Sequence, residues 1–479
     1  MRRLGRSART RRRRTPASGL HRCAALITGL TVVAVFGGSP AAAMTPPTID
    51  PGALVRSAPT APPETTEQRT LCAKPLATGR HDNSKPTAAQ SMMNLPDAWR
   101  FSRGKGQRVA VIDTGITPHP RLGRVQAGGD YVSSGNGLVD CDAHGTLVAG
   151  IIAAAPSSND AFAGVAPDAS LISIRQSSGA YSAKDRRSDD SDPTIGSGYG
   201  SVRTLASAVV RAVDLGATVI NISEVACASA GARLNDRSLG AAVKYAYDRN
   251  VVVVVAAGNL SQNSGCQHQN PAPAAGDTDG WGSVSTVASP AWFSPYVLAV
   301  GSVDAGTGAP SGFSLHGPWV SVAAPGTDIV SLDSTRGSSR LVDAQQGQDG
   351  PIPIAGTSFA TPYVAGAVAL VRARFPRLRP AEVMARITRT AHAPGTGHDT
   401  EIGYGVIDPV AALTSEIPDG LPNPMEAKAI AAPSPQPAVD HTARDVALVG
   451  AGLCAAVIAV VLAVALPHRR VRRLDPDEY

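Results

Sequence analysis

Short apolar runs alternate with longer amphipathic stretches through the middle of this 479-residue chain. The run Val251 to Val255 is made of five consecutive valines, which is typical of a strand buried on both faces of a sheet. Runs of this kind predict strands at 108–112, 170–174, 217–222, 251–256, 297–302 and 319–323. Helices are predicted between them at 201–215, 236–249 and 358–374. This alternation predicts an α/β domain built on a mostly parallel sheet.

The first 43 residues have the pattern of a secretory signal. They contain nine arginines and no acidic residue, then an apolar stretch from Cys23 to Phe36, then the small residues Ala41, Ala42 and Ala43. These features predict a cleaved signal peptide at 1–43. An uncleaved membrane anchor is the alternative, but the apolar stretch is short for that role.

A second apolar segment lies near the C-terminus. Residues 446–466 carry no charged side chain and are long enough to span a bilayer. Arginines follow at 469, 470, 472 and 473, and such clusters stay on the cytoplasmic side of a membrane. We therefore predict a Pro/Ala-rich linker at 416–445, a single transmembrane helix at 446–466 and a cytoplasmic tail at 467–479. A buried core helix is the alternative, but the segment lacks polar periodicity.

The net charge of +6 comes from the two ends of the chain. Without the arginines of 1–43 and the charged residues of the tail, the exported part carries a net charge of about −4. The basic residues therefore orient the chain in a cell membrane, with its main domain outside the cytoplasm. We do not expect nucleic acid as a partner.

Three short motifs carry residue types that together make a hydrolytic site. Asp113 ends a predicted strand in Val-Ile-Asp-Thr-Gly, His144 opens a helical run in His-Gly-Thr, and Ser358 opens a buried helix in Gly-Thr-Ser-Phe-Ala-Thr-Pro. A serine hydroxyl becomes nucleophilic when an imidazole takes its proton, and a carboxylate fixes the tautomer of that imidazole. Taken singly, the aspartate fits a turn, the histidine a structural helix start and the serine a helix cap. Those separate roles do not explain the set of three.

Asn259 is a fourth candidate, because it follows the five-valine strand in Ala-Ala-Gly-Asn. A carboxamide at the end of such a strand can donate a hydrogen bond to the oxyanion of a tetrahedral intermediate. A turn asparagine with positive φ is the alternative for this residue taken alone.

The order Asp, His, Ser is that of subtilisin, and residues 88–415 resemble a subtilisin-like serine protease. The resemblance implies a doubly wound α/β fold with helices on both faces of the sheet. It also implies a serine endopeptidase that acts on protein or peptide substrates and needs no cofactor or metal. Asp113, His144 and Ser358 would be its triad, with Asn259 as the oxyanion donor.

Two segments match the extended substrate-binding segments of this family. They are Ser197-Gly198-Tyr199-Gly200 before one helix, and Ser223 with Glu224 after one strand. The second segment departs from the common Ser-Leu-Gly-Gly pattern, because Glu224 and Val225 replace its leucine and first glycine. Glu224 either narrows the pocket and favours a basic or polar substrate residue, or faces solvent.

Four cysteines fall in the exported part, namely Cys72, Cys141, Cys227 and Cys266. An even number in an oxidising compartment predicts two disulfides, and three pairings are possible. We favour Cys72 with Cys141 and Cys227 with Cys266, because the last two follow strands that are expected to be neighbours. Free thiols or a zinc site are the alternatives, but no two cysteines are close in sequence.

Two irregular segments surround or interrupt the predicted protease. Residues 44–87 are too short and too rich in proline to form an independently folded inhibitor, so we predict an extension that wraps the protease. The insert 177–197 contains several acidic residues that could bind calcium. Their spacing matches no calcium loop, so we predict a surface loop.

The whole arrangement resembles the mycosins, which are membrane-anchored subtilisin-like proteases of type VII secretion systems. The resemblance rests on the signal peptide, the extension, the cysteines, the linker, the C-terminal span and the run 221–227. It implies that the type VII secretion membrane complex is a partner and that exported proteins undergo limited processing. A structural component that stabilises or caps the complex, with proteolysis secondary, is the alternative function.

Overall fold

The computed structural model describes residues 44–185, 194–195, 198–262, 265–277, 279–418 and 442–469. The predicted signal peptide lies outside these residues, as do most of the linker and most of the tail. The chain divides into two compact units, Met1–Glu426 and Ala427–Tyr479. Each is described by itself.

The strands of the described residues all lie in the first unit. In chain order they are β1 (Thr66–Gln68), β2 (Pro75–Leu76), β3 (Arg108–Asp113), β4 (Gln126–Asp130), β5 (Ser170–Arg175), β6 (Tyr181–Ala183), β7 (Val219–Ile222), β8 (Ala226–Ser229), β9 (Val252–Ala256), β10 (Thr286–Ser289), β11 (Val297–Val303), β12 (Val320–Pro325), β13 (Ser331–Leu332), β14 (Leu341–Val342), β15 (Ala344–Gly347) and β16 (Gly350–Pro353). The six strands predicted from apolar runs are all present, with ends that differ by three residues or fewer.

The α-helices of the described residues connect and cover these strands. They are α1 (Ala88–Met92), α2 (Leu95–Ala98), α3 (His144–Ala153), α4 (Val202–Asp214), α5 (Arg237–Asp248), α6 (Thr357–Arg374), α7 (Pro380–Arg389), α8 (Pro409–Thr414) and α9 (Thr442–Arg469). Short 3-10 turns occur at Pro51–Ala53 and Pro120–Leu122.

Seven strands form one parallel sheet in the order β12-β11-β9-β7-β3-β5-β4. The sheet begins with β3. The next strands along the chain, β4 and β5, lie on one side of β3, and the later strands β7, β9, β11 and β12 lie on the other side. The order therefore reverses next to β3, and ligand sites of open α/β sheets lie at the carboxyl ends of strands at such a point.

Helices cover both faces of this sheet, as the resemblance to subtilisin implies. Along β3, Val109 and Val111 belong to the core that contains α3 and α6, whereas Ala110 and Ile112 belong to the core that contains α4 and α5. The alternation follows from the two-residue period of a strand. The doubly wound α/β fold is confirmed.

The N-terminal extension lies against the protease through short strand pairs. β1 pairs with β6 in an antiparallel arrangement, and β2 pairs with β15. The side chain of His81 lies 3.4 Å from the carboxylate of Asp328. The extension therefore contacts several separate parts of the domain.

Both disulfides have the pairing favoured from the sequence. Cys72 is bonded to Cys141 and ties the extension to the loop before α3. Cys227 is bonded to Cys266 and ties β8 to the loop that follows β9. Cys141, Cys227 and Cys266 lie on segments that follow the sheet strands β4, β7 and β9.

The second unit contains the apolar helix α9. Its segment Arg444–Val464 has a mean hydropathy of 2.7 and is long enough to cross a membrane. It is the one such helix among the described residues. The predicted span 446–466 lies within α9.

The buried helix α6 offers a test of packing. A Cβ on Gly366 would lie 2.5 Å from the Cβ of Val165, which the backbone holds in place. Replacing a helical glycine by alanine gains about 1 kcal/mol in helix propensity, but overpacking a core costs about 1–3 kcal/mol. Because this contact is so short, we expect Gly366→Ala to lower the free energy of unfolding by about 1–2 kcal/mol.

Thermal unfolding of the full-length chain in detergent would measure this loss. Gly395→Ala is the matched control, since nothing lies within 4 Å of a Cβ at that position. A melting temperature of Gly366→Ala equal to or above that of the unsubstituted chain would contradict the account of this packing.

Candidate active site

Asp113 and His144 meet at the point where the strand order reverses. Asp113 ends β3 and is fully buried, while His144 is the first residue of α3 and 21% of its side chain is exposed. The Nδ1 atom of His144 lies 2.7 Å from Oδ1 of Asp113. A carboxylate only accepts hydrogen bonds, so Nδ1 carries the proton and Nε2 is the atom that can accept another.

The charges around His144 favour its protonated form. Burial alone lowers the pKa of His144, but the carboxylate of Asp113 and then the side chains of Glu224 and Asp140 raise it to about 9. An imidazolium formed during a reaction is therefore stabilised here. The neutral form, which can act as a base, is correspondingly favoured only at alkaline pH.

Ser358 lies at the start of the buried helix α6. It is the second residue of that helix, in the first turn, where backbone N–H groups have no acceptor within the helix. The next residue, Phe359, places its ring 5.1 Å from the ring of His144, measured between centroids. The serine therefore lies at the positive end of a helix dipole, next in sequence to a residue whose ring packs near the imidazole.

The side chain of Asn259 is held by the residue before Ser358. Its Oδ1 accepts hydrogen bonds from the backbone N–H of Thr357 at 2.9 Å and from the hydroxyl of Thr357 at 3.0 Å. A Cβ on Gly356 would lie 3.4 Å from Asn259 Nδ2 and 3.7 Å from the backbone nitrogen of Ser358. The side-chain amide of Asn259 and the backbone N–H of Ser358 thus border one small space, which is open because Gly356 has no side chain. The φ of Gly356, 148°, also favours glycine at this position.

His144, Ser358 and Asn259 line one cavity of about 440 Å³. Ser223 and Glu224 line the same cavity, as the family resemblance implies for a substrate-binding segment. Of the two alternatives for Glu224, the structure favours the one that places it at the pocket. That Glu224 favours a basic or polar substrate residue stays a prediction.

Glu224 is a carboxyl group with unusual surroundings. Its Oε2 accepts a hydrogen bond from the hydroxyl of Ser177. Burial and then the negative charge of Asp113 raise the pKa of Glu224 to about 8, although His144 acts in the opposite direction. A protonation change of Glu224 near neutral pH therefore alters the charge next to His144.

The predicted substrate segment 197–200 lies elsewhere. Gly198, Tyr199 and Gly200 line a different cavity, together with residues of the extension such as Glu64, and Ser197 lies outside the described residues. Gly179 is the residue of this region that lines the cavity of Ser358. Ser178 pairs with Tyr199, so the two segments lie side by side although they line different cavities. A direct role of 197–200 in substrate binding stays a prediction.

Two aspartates beside Cys141 also contribute to this site, although no sequence motif marks them. Asp140 accepts a hydrogen bond from the hydroxyl of Thr114 at 2.8 Å, and bonds from the backbone N–H and hydroxyl of Thr146 at 2.8 and 2.6 Å. It therefore joins the end of β3 to the first turn of α3, and burial raises its pKa to about 7. Asp142 binds Ser178 and Gly179. The one sequence signal was their place immediately before His144, on either side of a cysteine.

Comparisons with known proteins identify the family of this chain. Residues 104–405 match the model of the subtilase family. Mycosin-1 of Mycobacterium tuberculosis is 49% identical over 431 residues, which are 88% of this chain and 94% of that protein.

Solved structures give the same result. The crystal structure of MycP1 from the ESX-1 type VII secretion system has a TM-score of 0.74 and 47% identity, and the match covers 80% of this chain and 100% of that one. A chain in the structure of an intact ESX-5 inner membrane complex has a TM-score of 0.74 and 42% identity, with 88% and 100% covered.

These matches extend over the sheet, both helical layers and most of the remaining chain. They confirm the two resemblances on which the sequence analysis relied, first to subtilisin-like proteases and then to a membrane-anchored group among them. The chain therefore belongs to the subtilase family, and within it to the mycosins, and it is a serine protease.

Proposed function

We propose that Asp113, His144 and Ser358 form the catalytic triad of this serine endopeptidase and that Asn259 is its oxyanion donor. The observation that carries the proposal is the 2.7 Å contact between His144 Nδ1 and Asp113 Oδ1, at a cavity that Ser358 and Asn259 also line. A structural histidine or a helix-capping serine does not require that shared cavity.

In the acylation step, the Oγ of Ser358 attacks the peptide carbonyl carbon while Nε2 of His144 takes the hydroxyl proton. Asp113 keeps the ring oriented and stabilises the imidazolium. The oxygen of the tetrahedral intermediate accepts hydrogen bonds from Asn259 Nδ2 and from the backbone N–H of Ser358. The C–N bond then breaks, and His144 gives its proton to the leaving amine.

In the deacylation step, water replaces the amine. His144 takes a proton from the water, whose oxygen attacks the acyl carbon, and the same donors hold the second oxyanion. The C–Oγ bond breaks and the proton returns to Ser358. The products are a carboxylic acid and the free enzyme.

The proposal also gives the protease a place at the outer face of the cell membrane. The apolar helix α9 and the arginines that follow it support a single span with a cytoplasmic tail. The similar chain in the ESX-5 inner membrane complex supports a type VII secretion complex as partner. In that setting the substrates are exported proteins, which the protease processes at a limited number of sites.

The same similarity favours one other role, since a chain seated in a membrane complex can also stabilise it. To separate the two roles, Ser358→Ala is expressed in a strain that lacks this chain. Cleavage of exported proteins should stop, because the nucleophile is gone, and it is read by mass spectrometry of the culture fluid.

Secretion is measured in the same cultures, with Ser207→Ala on α4 as the matched control. If processing continues in the Ser358→Ala strain at the level of the control, Ser358 is not the nucleophile. If processing stops and secretion continues, the chain has a structural role besides its enzymatic one.

The pH dependence of the protease follows from the charges around His144. These are Asp113 on β3, Glu224 after β7, and Asp140 in the loop before α3. Because the pKa of His144 is raised to about 9, kcat/KM should increase as pH rises through this value and the neutral base forms. Glu224→Gln removes one negative charge, so it should move this increase to lower pH.

Initial rates with a fluorogenic peptide, taken from pH 6 to about 10.5, would measure both curves. Glu382→Gln, on the exposed face of α7, is the matched control and should leave the curve in place. An increase centred at the same pH in Glu224→Gln and in the unsubstituted chain would show that Glu224 does not act on His144.

A further inference from the structure

Asp142 connects the loop before α3 to one wall of the cavity. Its Oδ1 accepts a hydrogen bond from the backbone N–H of Gly179 at 2.8 Å, and its Oδ2 accepts one from the hydroxyl of Ser178 at 2.5 Å. Asp142 and Gly179 both line the cavity that contains Ser358. We call residues 178–180 the wall segment.

The N-terminal extension holds the same wall segment. The carbonyl oxygen of Ala180 accepts hydrogen bonds from the backbone N–H groups of Arg69 at 2.8 Å and Thr70 at 3.3 Å. The pairing of β1 with β6 continues this contact directly after the wall segment. Three consecutive residues of the wall are therefore fixed by groups from outside their own loop.

The Cys72–Cys141 disulfide joins these two supports. Cys141 is next to Asp142, and Cys72 follows Thr70 by two residues. The backbone N–H of Ala73 also donates to the carbonyl of Cys141 at 2.7 Å. The extension and Asp142 thus form one covalently linked frame around the wall segment.

We propose that Asp142 is a positioning residue for the bound peptide, and that the extension acts with it by fixing the wall segment. The inference rests on the proposed triad, since a peptide must lie along this cavity to reach Ser358. Gly179 is the exposed residue of the wall segment, and its N–H is already taken by Asp142. A peptide that lies against Gly179 therefore meets a backbone that is fixed beforehand, which reduces the entropy lost on binding. The frame therefore supports substrate binding and leaves the chemistry at Ser358 to other residues.

The test compares substitutions of Asp142 in the detergent-solubilised full-length chain. Asp142→Ala removes both hydrogen bonds, so KM for a fluorogenic peptide of six or more residues should rise about tenfold with kcat nearly unchanged. Asp142→Asn should restore KM to within about twofold, because an amide can still accept from Gly179 and can donate to the hydroxyl of Ser178.

A small fluorophosphonate without a peptide part separates this wall from the triad. It reacts with an activated serine and makes no use of the wall segment, so Asp142→Ala should be labelled at the rate of the unsubstituted chain. If the unsubstituted chain takes no label, the proposed triad fails. If labelling and peptide cleavage fall together in Asp142→Ala, the residue acts on His144 and the inference is wrong.

Two further results would overturn the inference. An unchanged KM in Asp142→Ala would show that the wall segment does not bind the peptide, and an Asp142→Asn variant as impaired as Asp142→Ala would show that charge matters and position does not. Ser178→Ala removes only one of the two bonds and should raise KM by a smaller factor. The double variant Cys72→Ser with Cys141→Ser should raise KM with normal labelling, so the inference remains testable if Asp142→Ala does not fold.

Discussion

The hydrogen bond between Asp113 and His144 is the contact on which the rest of this site depends. It joins the carboxyl end of β3 to the first residue of α3, across the point where the strand order of the sheet reverses. Because Asp113 is fully buried, its charge acts on the imidazole with little screening by water. Asn259 after β9 and Ser358 at the start of α6 line the same cavity as His144.

Much of the fold could be predicted from the sequence, because its signals are local. Five consecutive valines in a parallel strand are buried on both faces, and the motifs of Asp113 and Ser358 occur where a strand ends and a helix begins. The disulfide Cys227–Cys266 could be inferred because parallel strands bring their carboxyl ends together. Each of these inferences needs only the residue pattern within one strand or helix, or the fact that two strands are neighbours in the sheet.

The other parts of the site depend on contacts between segments that are distant in sequence. Such contacts leave no periodic pattern in the amino-acid sequence. Asp140 and Asp142 look like ordinary loop residues, and their roles come from Thr114, Thr146 and Gly179, which the fold brings to them. The cavity wall at Gly179 has no sequence signal for the same reason. Gly179 belongs to the insert 177–197 and lines the cavity of Ser358, whereas the family pattern points to the segment 197–200, whose role in substrate binding stays a prediction. The strand β6 within that insertion forms by pairing with the extension, so the insertion alone did not indicate it.

The most direct test of the account is to locate the serine that forms the acyl-enzyme. The full-length chain is treated with a fluorophosphonate at pH 8 to 9 and digested, and the modified residue is identified by tandem mass spectrometry. The account predicts one adduct, on Ser358, that is lost in His144→Ala, because the hydroxyl reacts only when the imidazole takes its proton. An adduct on another serine, or equal labelling of Ser358 without His144, would contradict it.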